Sequence, residues 1–207
     1  MEQMRSIIYE MQEITDERLE LADKEGNYYL GPNLTLRRCT VVTRVSARWL
    51  NILPTRFIDC TIEAKQELKN STWTCAALKG CSFKGRMTGC DFGPWPDYTE
   101  GWEHGTVEDC DFSETRLSNC RFHGCDTRTL RLPPWPCFTL LDPLGRSREL
   151  NSLGWPDLFG RIVIKNLSKH PPSTVALSYH APTVAKQYET TEEALRAVIE
   201  KSGFIVS

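Results

Sequence analysis

Residues 107–132 read VEDCDFSETRLSNCRFHGCDTRTLRL. Val107, Phe112, Leu117, Phe122 and Leu132 fall on a spacing of five, and Thr127 fills the remaining beat. Two residues before each stands a mostly small side chain: Gly105, Cys110, Thr115, Cys120, Cys125 and finally Leu130. The other positions are polar, as in Asp111, Ser113 and Glu114. A period of five is neither the 3.6 of a helix nor the 2 of a strand. An amphipathic helix would leave register within two turns, and a plain strand would alternate without a break. The pattern requires a backbone that turns a corner every five residues and returns two side chains inward each time. That is a wound solenoid, each coil burying its apolar residues on its neighbours.

Upstream the same beat runs with faults. Leu36 and Val41 keep it, with Cys39 before the second, and it blurs from Val45 to Leu53. Phe57 and Ile62 restore it behind Thr55 and Cys60. After a one-residue insertion near Ala64-Lys65 it resumes at Leu68, Trp73, Leu78 and Phe83, behind Gln66, Ser71, Ala76 and Cys81. Gln66 is the poorest fit to an inward position. One residue is dropped around Arg86-Met87, and Cys90-Asp91-Phe92 restarts the register.

With Cys110-Asp111-Phe112 and Cys120-Arg121-Phe122 as its best matches, the chain resembles the pentapeptide-repeat proteins. Their repeat centres on Leu or Phe with a small residue two before it. The resemblance covers residues 34–132. It implies a mainly β fold, a right-handed, four-sided parallel β-helix with about four repeats per coil, and a bacterial source.

Three regions are expected. Residues 1–33 form an N-terminal cap. In it Ile7, Ile8, Met11 and Ile14 fit either a short helix or an alternating strand, and Tyr28-Tyr29-Leu30 leads into the first coil. Residues 34–132 form the β-helix. Residues 133–207 form a small α/β tail that covers the last coil. In the tail, Phe138–Leu141, Arg161–Ile164 and Thr174–Tyr179 read as strands. Thr190 with Glu193 reads as a capping box for a helix presenting Ala194, Leu195, Val198 and Ile199, with Gly203 at its stop and Phe204-Ile205-Val206 as a last strand. Residues 93–106 interrupt the coils: Pro94 and Pro96 cannot donate to a ladder, and an unbroken register would turn Asp97 inward. They are expected to project as a loop bearing Trp95, Tyr98 and Trp102, either as a contact surface or folded back onto the solenoid.

The chain of 207 residues has 25 Lys and Arg, 27 Asp and Glu, and 40% apolar residues, an ordinary globular composition. No apolar run approaches the ~20 residues of a membrane span, and acids stand where a signal peptide would have its apolar core. A cytoplasmic location without membrane association is expected. Of nine cysteines, seven sit two before a beat position, which makes them small buried hydrophobes. Cys75 and Cys137 fall off the repeat: Cys75 could be an exposed thiol, and Cys137 has an apolar, buried context.

No catalytic, phosphate-binding or dinucleotide motif occurs, and the four histidines have no metal partner at a standard spacing. His123 is expected to face outward, and His104, beside Glu103, to be solvated. No enzyme activity, cofactor or metal is expected. Charge is more informative. From Gly26 to Ile58 there are five arginines (Arg37, Arg38, Arg44, Arg48 and Arg56) and no acid. From Pro94 to Thr115 there are seven acids and no Lys or Arg. Coils that are basic early and acidic late are expected. Asp97, Glu100, Glu103, Glu108, Asp109, Asp111 and Glu114, with Trp95, Tyr98 and Trp102, make a candidate surface for a basic partner protein. The leading expectation is an immunity-type inhibitor that neutralises a toxin. The family resemblance supplies an alternative, a DNA mimic that binds DNA gyrase or another topoisomerase. Basic early coils and an irregular tail depart from that pattern. Direct nucleic-acid binding through the arginines is weighed against a pI of 6.1. A homodimer is compatible with the sequence.

Overall fold

The structure, a computed structural model, describes residues 5–95 and 105–207. The chain winds as a parallel β-solenoid. Its first coil is β1 (Arg5–Tyr9), β2 (Glu13–Thr15) and β3 (Arg18–Leu21), and its second β4 (Gly26–Leu30), β5 (Leu34–Arg37) and β6 (Thr40–Thr43). The third holds β7 (Leu50–Ile52), β8 (Thr55–Ile58) and β9 (Thr61–Lys69); then follow β10 (Thr72–Trp73), β11 (Ala76–Lys79) and β12 (Ser82–Thr88). The fifth is β13 (Asp91–Phe92), β14 (Thr106–Glu108) and β15 (Asp111–Ser118), and β16 (Cys120–His123) opens a further turn on β13. Two five-stranded sheets run the length of the solenoid, β2-β5-β8-β11-β14 on the second side and β3-β6-β9-β12-β15 on the third. The first side begins as β1-β4-β7. In later coils β10, β13 and β16 take that place, in a separate sheet.

On adjacent coils Arg5 lies beside Gly26, Tyr28 beside Leu50 and Phe57 beside Leu78. Four fives plus a corner residue or two make one such coil. The beat residues stack into inward columns: Leu36, Phe57, Leu78 and Val107 on the second side, and Val41, Ile62 and Phe83 on the third, all at most 3% exposed. Phe83 stacks on Phe112 at 4.6 Å and Phe92 on Phe122 at 5.1 Å. Each such side chain contributes roughly 1.5–3 kcal/mol of burial, and each ring pair roughly 0.5–1.5 more.

The small positions carry a second device. The thiols of Cys60, Cys81 and Cys120 donate to the carbonyls of Leu36, Phe57 and Met87 on the coil before, at 3.2, 3.4 and 3.4 Å. Immediately ahead of the column Cys39, Cys60, Cys81, Cys110 stands a corner residue with positive φ: Arg38, Asp59, Gly80 and Asp109. Asn70, Gly89 and Asn119 do the same ahead of Ser71, Cys90 and Cys120. Left-handed backbone suits Gly, Asn and Asp. Arg38 is the exception, and its guanidinium is held by both oxygens of Asp16 at 2.7 Å.

Several expectations are corrected. The ladders begin at Arg5, inside the segment expected as a non-repeating cap. The first coil keeps the five-beat at Tyr9, Ile14 and Leu19, which stack beside Leu30, Leu36 and Val41, but Ile7, Gln12 and Glu17 stand where the later coils have a small residue, so the motif is masked. The solenoid is also narrower there. β3 and β6 have four residues, whereas β9, β12 and β15 have nine, seven and eight and bend to take in an additional side. The register shift between Gly85 and Met87 falls where the beat drops a residue. Winding the first coil in also changes the charge pattern. Arg37, Arg38 and Arg44 face Glu13, Asp16 and Glu20, so the early coils alternate in charge instead of being basic. Cys75 is buried.

After a 3₁₀ turn at 127–129 the tail contributes β17 (Cys137–Leu141), α1 (Ser147–Ser152), α2 (Asp157–Ile162), β18 (Thr174–His180), α3 (Ala181–Gln187), α4 (Glu192–Ile199) and β19 (Ile205–Val206). β18 runs antiparallel between β16 and β17, and β19 pairs with β17. Phe138, Phe159, Leu177, Leu195 and Ile199 form a second core. Residues 161–164, expected as a strand, lie in α2 and the 3₁₀ helix after it, because Phe159, Val163 and Leu167 recur every four and turn into that core. The cap of α4 is Thr191, one residue beyond the expected Thr190; it accepts from the Ala194 N–H at 3.1 Å, and Ala194 itself is exposed. Among the described residues no helix is long and apolar enough to cross a membrane.

Candidate functional site

The interruption at 93–106 shows in the register. Ala77 pairs with Arg56 on the coil before it and with Thr106 on the coil after it. The second of these spans is eight residues longer than the first, and the excess falls between Phe92 and Thr106. Two glycines frame it. Gly93 has φ of +83°, and a side chain there would strike the His123 carbonyl; one at Gly105 would strike the Thr74 carbonyl. Asp97, Tyr98, Glu100, Trp102 and Glu103 lie outside the described residues, as does His104.

The base of this segment is a polar clamp. Asp91 and Arg121 face each other in register on β13 and β16. Arg121 donates to both carboxylate oxygens of Asp91, at 2.5 and 2.7 Å, and His123 Nε2 approaches the same carboxylate at 3.2 Å. The Nδ1 of His123 lies 3.4 Å from the hydroxyls of both Ser173 and Thr174. Trp95 is half-buried over this set, its ring edge-on to His123 at 4.9 Å and under the Arg121 guanidinium at 5.3 Å. The ring is thus folded back onto the solenoid. Burial pushes the Asp91 carboxyl upward, but the hydrogen bonds from His123 and Arg121 outweigh it and hold the group below its usual range. His170 is lowered by burial and then by the charges of Arg121 and His123.

His123, expected to face outward, is fully buried. The reason is β18, which pairs with β16 and covers that side. An Asp–His–Ser order invites comparison with a hydrolytic triad. Yet the imidazole is sealed from solvent, and two hydroxyls share its Nδ1 at equal, long distances. The contacts of Asp91, Arg121, His123, Ser173 and Thr174 tie β13, β16 and the start of β18 together as a clamp. The sequence carries one usable sign of it: the middle residues of Cys90-Asp91-Phe92 and Cys120-Arg121-Phe122 have opposite charge, and stacking the motifs pairs them.

The described acids are outward but not convergent. Glu108 ends β14 and faces Lys79 at 3.5 Å; Glu114 faces Lys84 at 2.8 Å; Asp111 faces Arg131 at 3.3 Å. Asp109 occupies the left-handed corner between the two sides and has no cation partner among the described residues. Burial raises Asp111, and hydrogen bonding by Ser113 with the charge of Arg131 brings it below its usual range. Among the described residues no group of three or more His, Cys, Asp or Glu is placed to hold a metal ion. No protein-family model matches the chain, and no curated protein matches it.

Proposed function

We propose that the chain is a pentapeptide-repeat protein that works without catalysis, by binding a basic partner protein through the segment inserted after Phe92 and the rung below it. The observation that carries this reading is the eight-residue excess of one coil. A solenoid whose other coils keep a tight length has been opened at one place, and the inserted stretch holds Asp97, Glu100 and Glu103 with Tyr98 and Trp102 and no Lys or Arg. Its base is tied to the rigid wall by Trp95 and the Asp91–Arg121–His123 clamp, which lowers the ordering cost of binding. Aromatic side chains supply contact area and acids choose a basic partner. A toxin that acts on nucleic acid presents such a basic site, and neutralising one is the specific role proposed. The DNA-mimic alternative is less favoured, since it calls for a continuous acidic face and Glu108, Asp111 and Glu114 each face a cation.

The test is capture of partners from an extract of the native cells by the tagged full chain, beside a variant with 96–104 replaced by a short glycine linker. One protein held by the first and lost by the second supports the reading, and Glu103→Lys with Asp109→Lys should weaken that binding at least tenfold. A partner retained at full strength by both variants moves recognition away from this segment.

A further inference from the structure

Three open depressions run along one side of the solenoid and share their walls. The first, about 320 Å³, lies beside Lys24, Arg44, Arg48 and Trp49. The second, about 430 Å³, shares Ser46, Arg48 and Gln66 with it and adds Lys69 and Arg86. The third, about 500 Å³, shares Arg86 and extends past Arg116 to Trp135 in the tail. They form one groove crossing successive coils, with Arg48, Lys69, Arg86 and Arg116 each contributed by a different coil.

Most cations elsewhere on the solenoid are paired, with Arg5 and Arg56 the exceptions among the described residues. On the other sides Arg37, Arg38, Lys79 and Lys84 each face a carboxylate. In the groove Arg48 and Arg86 are exposed and make no ion pair among the described residues. Arg48 lies over the Trp49 ring at 4.7 Å, a contact that leaves its N–H donors free. Lys69 and Arg116 share one carboxylate, Glu67, at 3.7 and 3.4 Å, and Glu67 also accepts from Thr88. Arg86 and Arg116 stand directly opposite on adjacent strands, a like-charge pairing that destabilises a sheet. Two donors on the groove, Ser46 Oγ and Arg116 Nε, are buried without a hydrogen-bond partner among the described residues, which is uncommon in a folded protein. The other carboxylate on the wall, Glu114, is held by Lys84 at 2.8 Å. Asp23 and Glu25 flank Lys24, so the basic track proper is the four cations from Arg48 to Arg116.

We propose that this groove binds single-stranded nucleic acid, its phosphates along Arg48, Lys69, Arg86 and Arg116 and its bases against the half-buried rings of Trp49 and Trp135 at the two ends. With coils ~4.8 Å apart the four cations span roughly 14 Å, a length that a few phosphates of an extended strand cover. A basic track with aromatic platforms is how single strands are held without sequence preference. A duplex keeps its bases stacked away from such rings, and an acidic peptide has no bases to place on them. The acidic pI averages over all faces and conceals this one. The groove is independent of the segment inserted after Phe92.

The test uses the full chain and a fluorescent twenty-residue thymidine oligonucleotide, read by anisotropy at low salt. Micromolar binding is expected, with affinity falling as salt rises at a log–log slope of about −3, four phosphate contacts at roughly −0.7 each. Arg48→Ala with Arg86→Ala should lower affinity at least tenfold and bring the slope toward about −1.4, the value for two remaining contacts. Arg56→Ala with Lys79→Ala removes the same charge from the second side and should change affinity less than twofold. All four side chains are exposed, so neither variant should melt far below the parent, and Arg86→Ala should relieve the like-charge pairing with Arg116. No binding at roughly 100 µM, the non-specific range, overturns the proposal. So does an equal loss in the two variants, or polyglutamate binding as tightly as the oligonucleotide.

Discussion

Asp91 is the residue on which the junction between solenoid and tail depends. Its side chain is 12% exposed and serves Arg121 and His123 together. Asp91→Ala leaves a cation and a buried imidazole without their acceptor and should cost about 2–4 kcal/mol in urea unfolding, toward the lower end because Arg121 is 31% exposed. Because the folded carboxyl is held below its unfolded value of about 4, its contribution is complete above that pH and is lost as pH falls through the folded value. The parent should therefore lose stability more steeply below about pH 4 than Asp91→Asn does; parallel acid titrations of the two would contradict the assignment. The thiols give a second expectation at this scale. Eight of the nine are buried, Cys125 is half-buried, and burial pushes Cys75 and Cys125 up to about 11. Since the thiolate is the reactive form, Ellman's reagent at pH 8 should modify less than one thiol per chain within minutes, and all nine once the chain is unfolded.

At the scale of the coil, the legible signal in the sequence is the inward pair of each five. Cys110 with Phe112 and Cys120 with Phe122 announce themselves because both members are apolar and regularly spaced. The corners are equally regular but harder to see: Asp59-Cys60, Gly80-Cys81, Gly89-Cys90, Asp109-Cys110 and Asn119-Cys120 each place a left-handed residue before a small inward one. The first coil stays hidden because Tyr9, Ile14 and Leu19 recur at five without their small partners: Ile7, Gln12 and Glu17 hold those positions. Gly105 shows how little slack the small positions have. It is buried, without a left-handed φ, against the Thr74 carbonyl. Gly105→Ala should destabilise by about 1–3 kcal/mol through overpacking, lowering the melting temperature by several degrees. An unchanged temperature would mean that the coil can open there at no cost.

For the whole molecule, the sequence foretells a repeat body with a different tail, but not how the two are joined. A strand read at Thr174–Tyr179 cannot reveal that it runs antiparallel on β16, since no local pattern specifies a partner so distant along the chain, and His123 is misplaced for that reason. Charge misleads by the same mechanism: the arginines from Arg37 to Arg44 look isolated along the chain and meet Glu13, Asp16 and Glu20 only when the first coil closes over them. The candidate partner surface is legible as composition, whereas the clamp beneath it and the basic groove exist only after winding. The two ends of the ladder also differ. At one, β16 is covered by an antiparallel strand, although β14 and β15 end their sheets; at the other, β1, β2 and β3 each have a strand neighbour on one edge alone among the described residues. This asymmetry gives the protein a mechanical polarity. Held by its two termini in an optical trap, it should peel from the first residue like tape from a roll. Each coil would release about 70 Å of extended chain, in a staircase of nearly equal steps broken by one longer step at the coil that carries the insertion.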